Sequence, residues 1–171
     1  MKILSYDENK NLIEQTCTDS ENILVWKSVT TYKDGLKADV SEYDALNTLK
    51  SRTIFTYENS LLTDESSYNG DGALVWKIIY KYNANGRLET MSEYFANGSL
   101  SNQNSYTYTE DGKFETISTY TSFENSYSQK VFRYGTDGVL NEVTTYNADK
   151  QVTKRLLIKY DNSGNVARIS D

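Results

Sequence analysis

Tyr82-Asn83-Ala84-Asn85-Gly86-Arg87-Leu88 reads as a tight reversal of an extended chain. Asn-Gly between alternating segments is the strongest short-range signal for a β-hairpin, because both residues tolerate positive φ. Tyr82 and Leu88 lie six positions apart, so they share a face only across an odd loop. A three-residue loop, Ala84-Asn85-Gly86, makes them direct partners. That is a type I turn closed by a bulge, with glycine in the left-handed region.

The same pattern runs the length of the 171 residues. Tyrosines recur at 32, 43, 57, 68, 82, 94, 108, 120, 134, 146 and 160, with short gaps of 11 or 12 alternating with gaps of 14. Tyr6 opens the series, and Thr18 stands where the next tyrosine belongs. Four residues after most of them comes the turn residue: Gly72, Gly86, Gly98, Gly112, Gly138 or Gly164. Lys10, Asn22, Asn47, Glu124 and Lys150 fill that position in weaker copies. A Leu, Val or Phe follows two residues later, as at Leu12, Phe114 and Val152. Ile23–Lys27 and Ala73–Lys77 are near-copies of each other, two periods apart. The unit is therefore two strands in 25 or 26 residues. The spacing predicts 13 turns and about 14 antiparallel strands in a single repeat domain over 1–171. Asp34-Gly35 closes a shortened unit and predicts a two-residue type I′ loop.

Counting outward from the odd loop at Asn85 pairs Lys77 with Glu93, Ile79 with Met91 and Lys81 with Glu89, and from the two-residue loop Asp34-Gly35 it pairs Lys27 with Glu42 and Val29 with Val40. It also pairs Val131 with Val143, Leu157 with Ile169 and Arg155 with Asp171. Opposite charges and apolar groups meet, as cross-strand stabilisation requires. The register places the tyrosines and leucines of the repeat motif on one face, with Trp26, Phe55, Trp76, Tyr80, Tyr106 and Phe132. Polar residues such as Asn102, Asn104 and Lys154 share that face, so neither side is a clean core. An open, twisted single-layer sheet follows, with a rolled or closed sheet as the alternative.

The composition fits. Hydrophobic residues make up 37%, too few for a thick core, while 15 tyrosines supply β-propensity and tolerate a wet surface. Proline is absent, as suits strands that need every N–H. The net charge of −6, with no basic cluster, argues against nucleic acid and anionic membranes as partners. No stretch suits membrane insertion. The repeat begins almost at the first residue, which suggests a trimmed export signal.

Tyr-Asn-Ala-Asn-Gly-Arg-Leu at 82–88 and Tyr-Asp-Asn-Ser-Gly-Asn-Val at 160–166 resemble the YD (RHS) repeat, whose core is Tyr-Asp-x-x-Gly-x-Leu. The tyrosine–glycine pairing is also similar to MORN-type repeats. The resemblance implies a β-meander and an extracytoplasmic setting, as in uncharacterised secreted or envelope-attached bacterial repeat domains. Asp follows Tyr only at Tyr6, Tyr43 and Tyr160, and no toxin domain accompanies the repeats. The shared residues are structural, so no functional residue carries over.

The chain has no histidine, which removes Ser-His-Asp and Cys-His machinery and His-ligated zinc. Cys17 stands alone, excluding an internal disulfide. Glu89 and Glu93 share one strand face, but the register gives each a lysine, which weakens a glycosidase reading. Acidic turns such as Asn69–Gly72 lack the ligand spacing of a calcium loop. Asn97-Gly98-Ser99 matches a glycosylation sequon through its turn residues. The sequence therefore predicts no catalytic residue, metal or cofactor. The candidate binding residues are Trp26, Trp76, Tyr80, Tyr82 and Tyr106, since exposed Trp and Tyr mark interfaces. The expected function is a non-catalytic scaffold or binding module for a protein or glycan, with homodimerisation left open. A rolled sheet holding a small apolar ligand is the alternative, and a carboxylate glycosidase ranks behind both.

Overall fold

The computed structural model describes every residue except Asn162 and Asp171. The Arg155–Asp171 pairing expected above lies outside the described residues. The strands are β1 (Lys2–Tyr6), β2 (Leu12–Thr18), β3 (Leu24–Lys33), β4 (Leu36–Asp44), β5 (Leu49–Glu58), β6 (Leu61–Asn69) and β7 (Leu74–Tyr82). They continue as β8 (Leu88–Phe95), β9 (Leu100–Tyr108), β10 (Phe114–Thr121), β11 (Ser126–Tyr134), β12 (Leu140–Asn147), β13 (Val152–Tyr160) and β14 (Val166–Ser170). Each strand neighbours the next in one 14-stranded meander, in linear order from β1 to β14. The two ends of that order are not joined, so the closed alternative is excluded. The chain divides into two compact units: Met1–Tyr80 with Glu93–Ser99, and Lys81–Ser92 with Leu100–Asp171.

The turns form as their residues demand. In the 82–88 stretch, the Gly86 N–H donates to Asn83 O and the Asn83 N–H to Arg87 O, both at 2.9 Å. That closes the three-residue loop, with Gly86 at φ 72°. Lys10, Asn22, Asn47 and Lys150 take the same left-handed conformation at φ 58–64°. Asp34 and Gly35 both have positive φ, giving the two-residue type I′ loop. Glu124 departs from its expected role. There the loop holds four residues, Ser122 to Asn125, and Asn125 carries the positive φ.

A residue the turn signature overlooked holds these loops closed. It follows the tyrosine directly, or Thr18 where that replaces it. One Asp44 carboxylate oxygen accepts the Leu46 and Thr48 N–H groups at 2.9 Å each. Asp7, Asp19, Asn69, Asn83, Asn147 and Asp161 do the same for the second and fourth residues after themselves. Such Asx contacts satisfy turn N–H groups that the ladder leaves free.

The expected register is wrong beyond the first pair. Tyr and Leu do meet, as in Tyr6↔Leu12, Tyr43↔Leu49, Tyr134↔Leu140 and Tyr160↔Val166. One step further the ladder shifts: Ser5 meets Glu14, and Arg133 meets Glu142. Ile13 and Asn141 are left as the extra residues of β-bulges, in which two residues oppose one. Most hairpins repeat this second bulge. Lys27 consequently meets Tyr43 rather than Glu42, and Val29 meets Ser41 rather than Val40. Val131 meets Thr144, and Leu157 meets Ser170. Lys77 makes its ion pair with Asp64 on β6, not with Glu93. No ion pair joins Lys81 and Glu89.

The bulge also changes which face each tyrosine occupies. Directly paired residues share a face and successive residues alternate. A one-residue shift after the Tyr–Leu pair therefore swaps the tyrosine's face at each bulged hairpin. In each unit the tyrosines of odd strands lie on one face, here face A, as at Tyr32, Tyr57, Tyr108 and Tyr134. Tyr43, Tyr68, Tyr120 and Tyr146, on even strands, lie on the opposite face B. The single tyrosine face expected from sequence is thus two half-populated ones.

Among the described residues no hydrophobic side chain is fully buried. The least exposed side chains are small and polar, including Ser92 at 5% and Thr144 at 2%. A sheet one layer thick has no interior, so burial peaks only where short side chains sit beneath longer neighbours.

Candidate functional site

The odd-strand tyrosines show first what the aromatic side chains do. The Tyr108 hydroxyl donates to Leu88 O at 2.8 Å, Tyr134 to Phe114 O at 2.9 Å, and Tyr160 to Leu140 O at 2.8 Å. Tyr32 reaches Leu12 O at 3.2 Å in the other unit. Each acceptor lies 20 residues back, at the first residue of the preceding strand, next to its bulge. The bulge interrupts the ladder there and leaves a carbonyl to be satisfied. A cation lies over the ring in the same repeat: Arg87 at 5.7 Å over Tyr108 and Lys113 at 5.3 Å over Tyr134.

Face B carries a second repeating arrangement, along its middle. Glu14, Asp39, Asp64 and Glu142 each accept a hydrogen bond from the hydroxyl two residues on, at Thr16, Ser41, Ser66 and Thr144. Opposite those hydroxyls stand Lys27, Arg52, Lys77 and Arg155. Arg52 pairs with Asp39, Lys77 with Asp64, and Arg155 with Glu142. Two repeats have Thr90 and Thr116 in place of the acid, and there the opposing residue is a glutamine. Gln103 donates to Ser92 at 2.8 Å and Gln129 to Ser118 at 3.2 Å. Acid and base are lost together, which keeps the middle of the sheet charge-neutral.

Glu142 shows the electrostatics most clearly. It is 8% exposed and held by Arg155 at 2.7 Å, Thr144 at 2.7 Å and Arg133. The Arg155 hydrogen bond, followed by that of Thr144, lowers its pKa to about 2 against the opposing effect of desolvation. A carboxylate so fully matched is ionised and saturated, which makes it a poor proton donor.

The predicted binding residues each fall on face A of their own unit. Trp26, Trp76 and Tyr80 belong to the first unit, Tyr82 and Tyr106 to the second. Trp26, 37% exposed, faces Cys17 on one side and Asp44 on the other. Trp76 faces Ser67, four strands from Trp26, roughly 19 Å away at normal strand spacing. The Tyr80 hydroxyl donates to Glu65 at 3.2 Å. Tyr106 contacts Phe114 with ring centroids 5.9 Å apart, and Phe114 in turn touches Tyr108 and Phe132. Burial raises the pKa of both Tyr82 and Tyr106. An open groove beside Trp26 is lined by Val25, Lys27, Glu42, Tyr43 and Lys50. Asn97 uses its side chain to accept both the N–H and the hydroxyl of Ser99. Among the described residues no three His, Cys, Asp or Glu side chains gather as metal ligands would.

No known protein family and no curated protein matches this chain. Solved structures do share its fold. A crystal structure of TcdB2-TccC3 without its hypervariable C-terminal region matches with a TM-score of 0.58 at 14% identity, over 99% of this chain and 10% of that one. The Photorhabdus luminescens Tc holotoxin pore matches equally, and the TcdB2-TccC3-Cdc42 structure at 0.57 over 94% of this chain. This chain spans about a tenth of the length of those proteins. TccC3 is an RHS/YD-repeat protein. At this identity the likeness is one of fold: the chain has a YD/RHS-like β-repeat architecture.

Proposed function

We propose that this chain is a non-catalytic repeat module that binds an extended partner, a glycan or protein surface, across face A. It works outside the cytoplasm, secreted or attached to the cell envelope, as in the repeat proteins its motif resembles. One observation carries the reading: among the described residues no apolar side chain is fully buried. Trp26, Phe114 and their neighbours are therefore held half open to solvent by a ladder that satisfies the backbone without covering them. Rigid aromatic rings on a flat sheet stack on sugar rings or on a partner's apolar surface at little entropic cost. The catalytic alternative lacks support, because Glu142, the best-buried carboxylate, is matched by two arginines.

A glycan array probed with the intact chain tests this reading. Binding to an extended glycan, weakened about tenfold in Trp76→Ala, is the expected result (about 1.4 kcal/mol). Cleavage of any bound glycan would overturn it. Unchanged binding by Trp76→Ala would remove this tryptophan from the site.

A further inference from the structure

Face A differs in charge between the two units. In the second unit its laddered residues include two lysines, Lys130 and Lys154, and no carboxylate. They face the same residue, Thr145, from either side. That puts their Cα atoms about 10 Å apart, two strand spacings. Both are exposed, and neither forms an ion pair among the described residues. Phe132 and Leu156 sit two positions beyond them on the same face. Along the middle of face B, Arg52, Lys77 and Arg155 each have an acid, whereas Lys130 and Lys154 on face A have none among the described residues.

In the first unit, face A carries two carboxylates outside any ion pair, Glu42 and Glu65, and one such lysine, Lys2 on β1, among the described residues. Glu42 accepts only the Ser51 hydroxyl, at 2.8 Å, and Glu65 accepts the Tyr80 hydroxyl. Neither forms an ion pair among the described residues. Lys37 shares that face but lies over the Phe55 ring at 5.6 Å. Asp44, also there, is spent on its own turn. The net charge of −6 opposes the approach of a second copy, and physiological salt screens that repulsion beyond about 8 Å.

We propose that face A of the first unit docks on face A of the second unit in another copy of this chain, with Glu42 and Glu65 meeting Lys130 and Lys154. The apolar side chains around those charges are covered in the same contact. Complementary charge sets which faces meet, and apolar burial supplies most of the affinity. A partner bound on face A, as proposed above, would compete with this contact.

Sedimentation velocity of the intact chain across the micromolar range is the test. The wild type is expected to self-associate. Lys130→Glu/Lys154→Glu and Glu42→Lys/Glu65→Lys are each expected to weaken association at least about tenfold. An equimolar mixture of the two charge-reversed variants is expected to associate again. Circular dichroism separates loss of fold from loss of contact, and Lys130→Gln/Lys154→Gln provides a milder second variant. A wild type that stays monomeric overturns the proposal, as does a mixture that fails to recover association. If the wild type is monomeric and binds heparin through Lys130 and Lys154, face A takes an anionic glycan and not a second copy.

Discussion

Lys150 and Gly164 occupy equivalent turn positions with left-handed φ of 61° and 81°. A side chain in that region costs roughly 1–2 kcal/mol. Lys150→Gly is therefore expected to stabilise the chain by about 1 kcal/mol, and Gly164→Ala to destabilise it similarly, as read from denaturant midpoints. Nothing lies within 4 Å of a Cβ at Gly164, so its constraint is conformational rather than steric. Gly70 is the converse. A Cβ there would sit 2.2 Å from Leu49 O, and Gly70→Ala is expected to cost more than any turn substitution. Glu142 contributes to the acid response. Its pKa of about 2 in the fold lies below the ordinary value near 4.3. The stabilisation is therefore complete above about pH 5 and is lost as pH falls toward 2. Glu142→Gln should flatten the dependence of the thermal midpoint on pH between 5 and 2. An undiminished slope would mean that other carboxylates dominate.

At the scale of the element, the hairpin is defined by its second bulge as much as by its turn. The shift exposes a carbonyl, and an odd-strand tyrosine from the next hairpin reaches back to it. Tyr134→Phe removes the bond to Phe114 O and keeps the ring, so a loss of about 1 kcal/mol is expected. A much smaller loss would show that water replaces the hydroxyl. The acid–base exchange on face B makes a coupled prediction. Asp64→Thr alone leaves Lys77 without its partner. The double variant Asp64→Thr/Lys77→Gln copies the Thr116 and Gln129 repeat. It should recover roughly 0.5–1 kcal/mol relative to the sum of the single changes in a double-mutant cycle. Strict additivity would mean that the exchange between repeats has no energetic basis.

Over the whole molecule, stability is spread along 14 strands in linear order, each supported mainly by its neighbours. Chains of this kind unfold as nearest-neighbour arrays. Destabilising changes in either unit should therefore lower protection from hydrogen exchange locally before they lower it globally. Uniform loss of protection after Gly70→Ala would contradict this. Binding, through partner or second copy, would bury the half-exposed aromatic side chains and raise that protection on face A.

The sequence by itself determined the repeat, the number of strands, the turn geometry and the Tyr–Leu partners. Each of these depends on contacts within about ten residues, and φ preferences and loop parity settle them locally. The bulge after each Tyr–Leu pair was not legible. Ile13, Thr63 and Asn141 have no common residue type, and the carbonyl beside the bulge is held in several repeats by a tyrosine 20 residues onward. That unseen shift moved half the tyrosines to face B and replaced Lys77–Glu93 with Lys77–Asp64. The five aromatic candidates were legible as residues of face A but not as separate groups. Distance across the sheet is set by strand order and register, which only the tertiary structure decides.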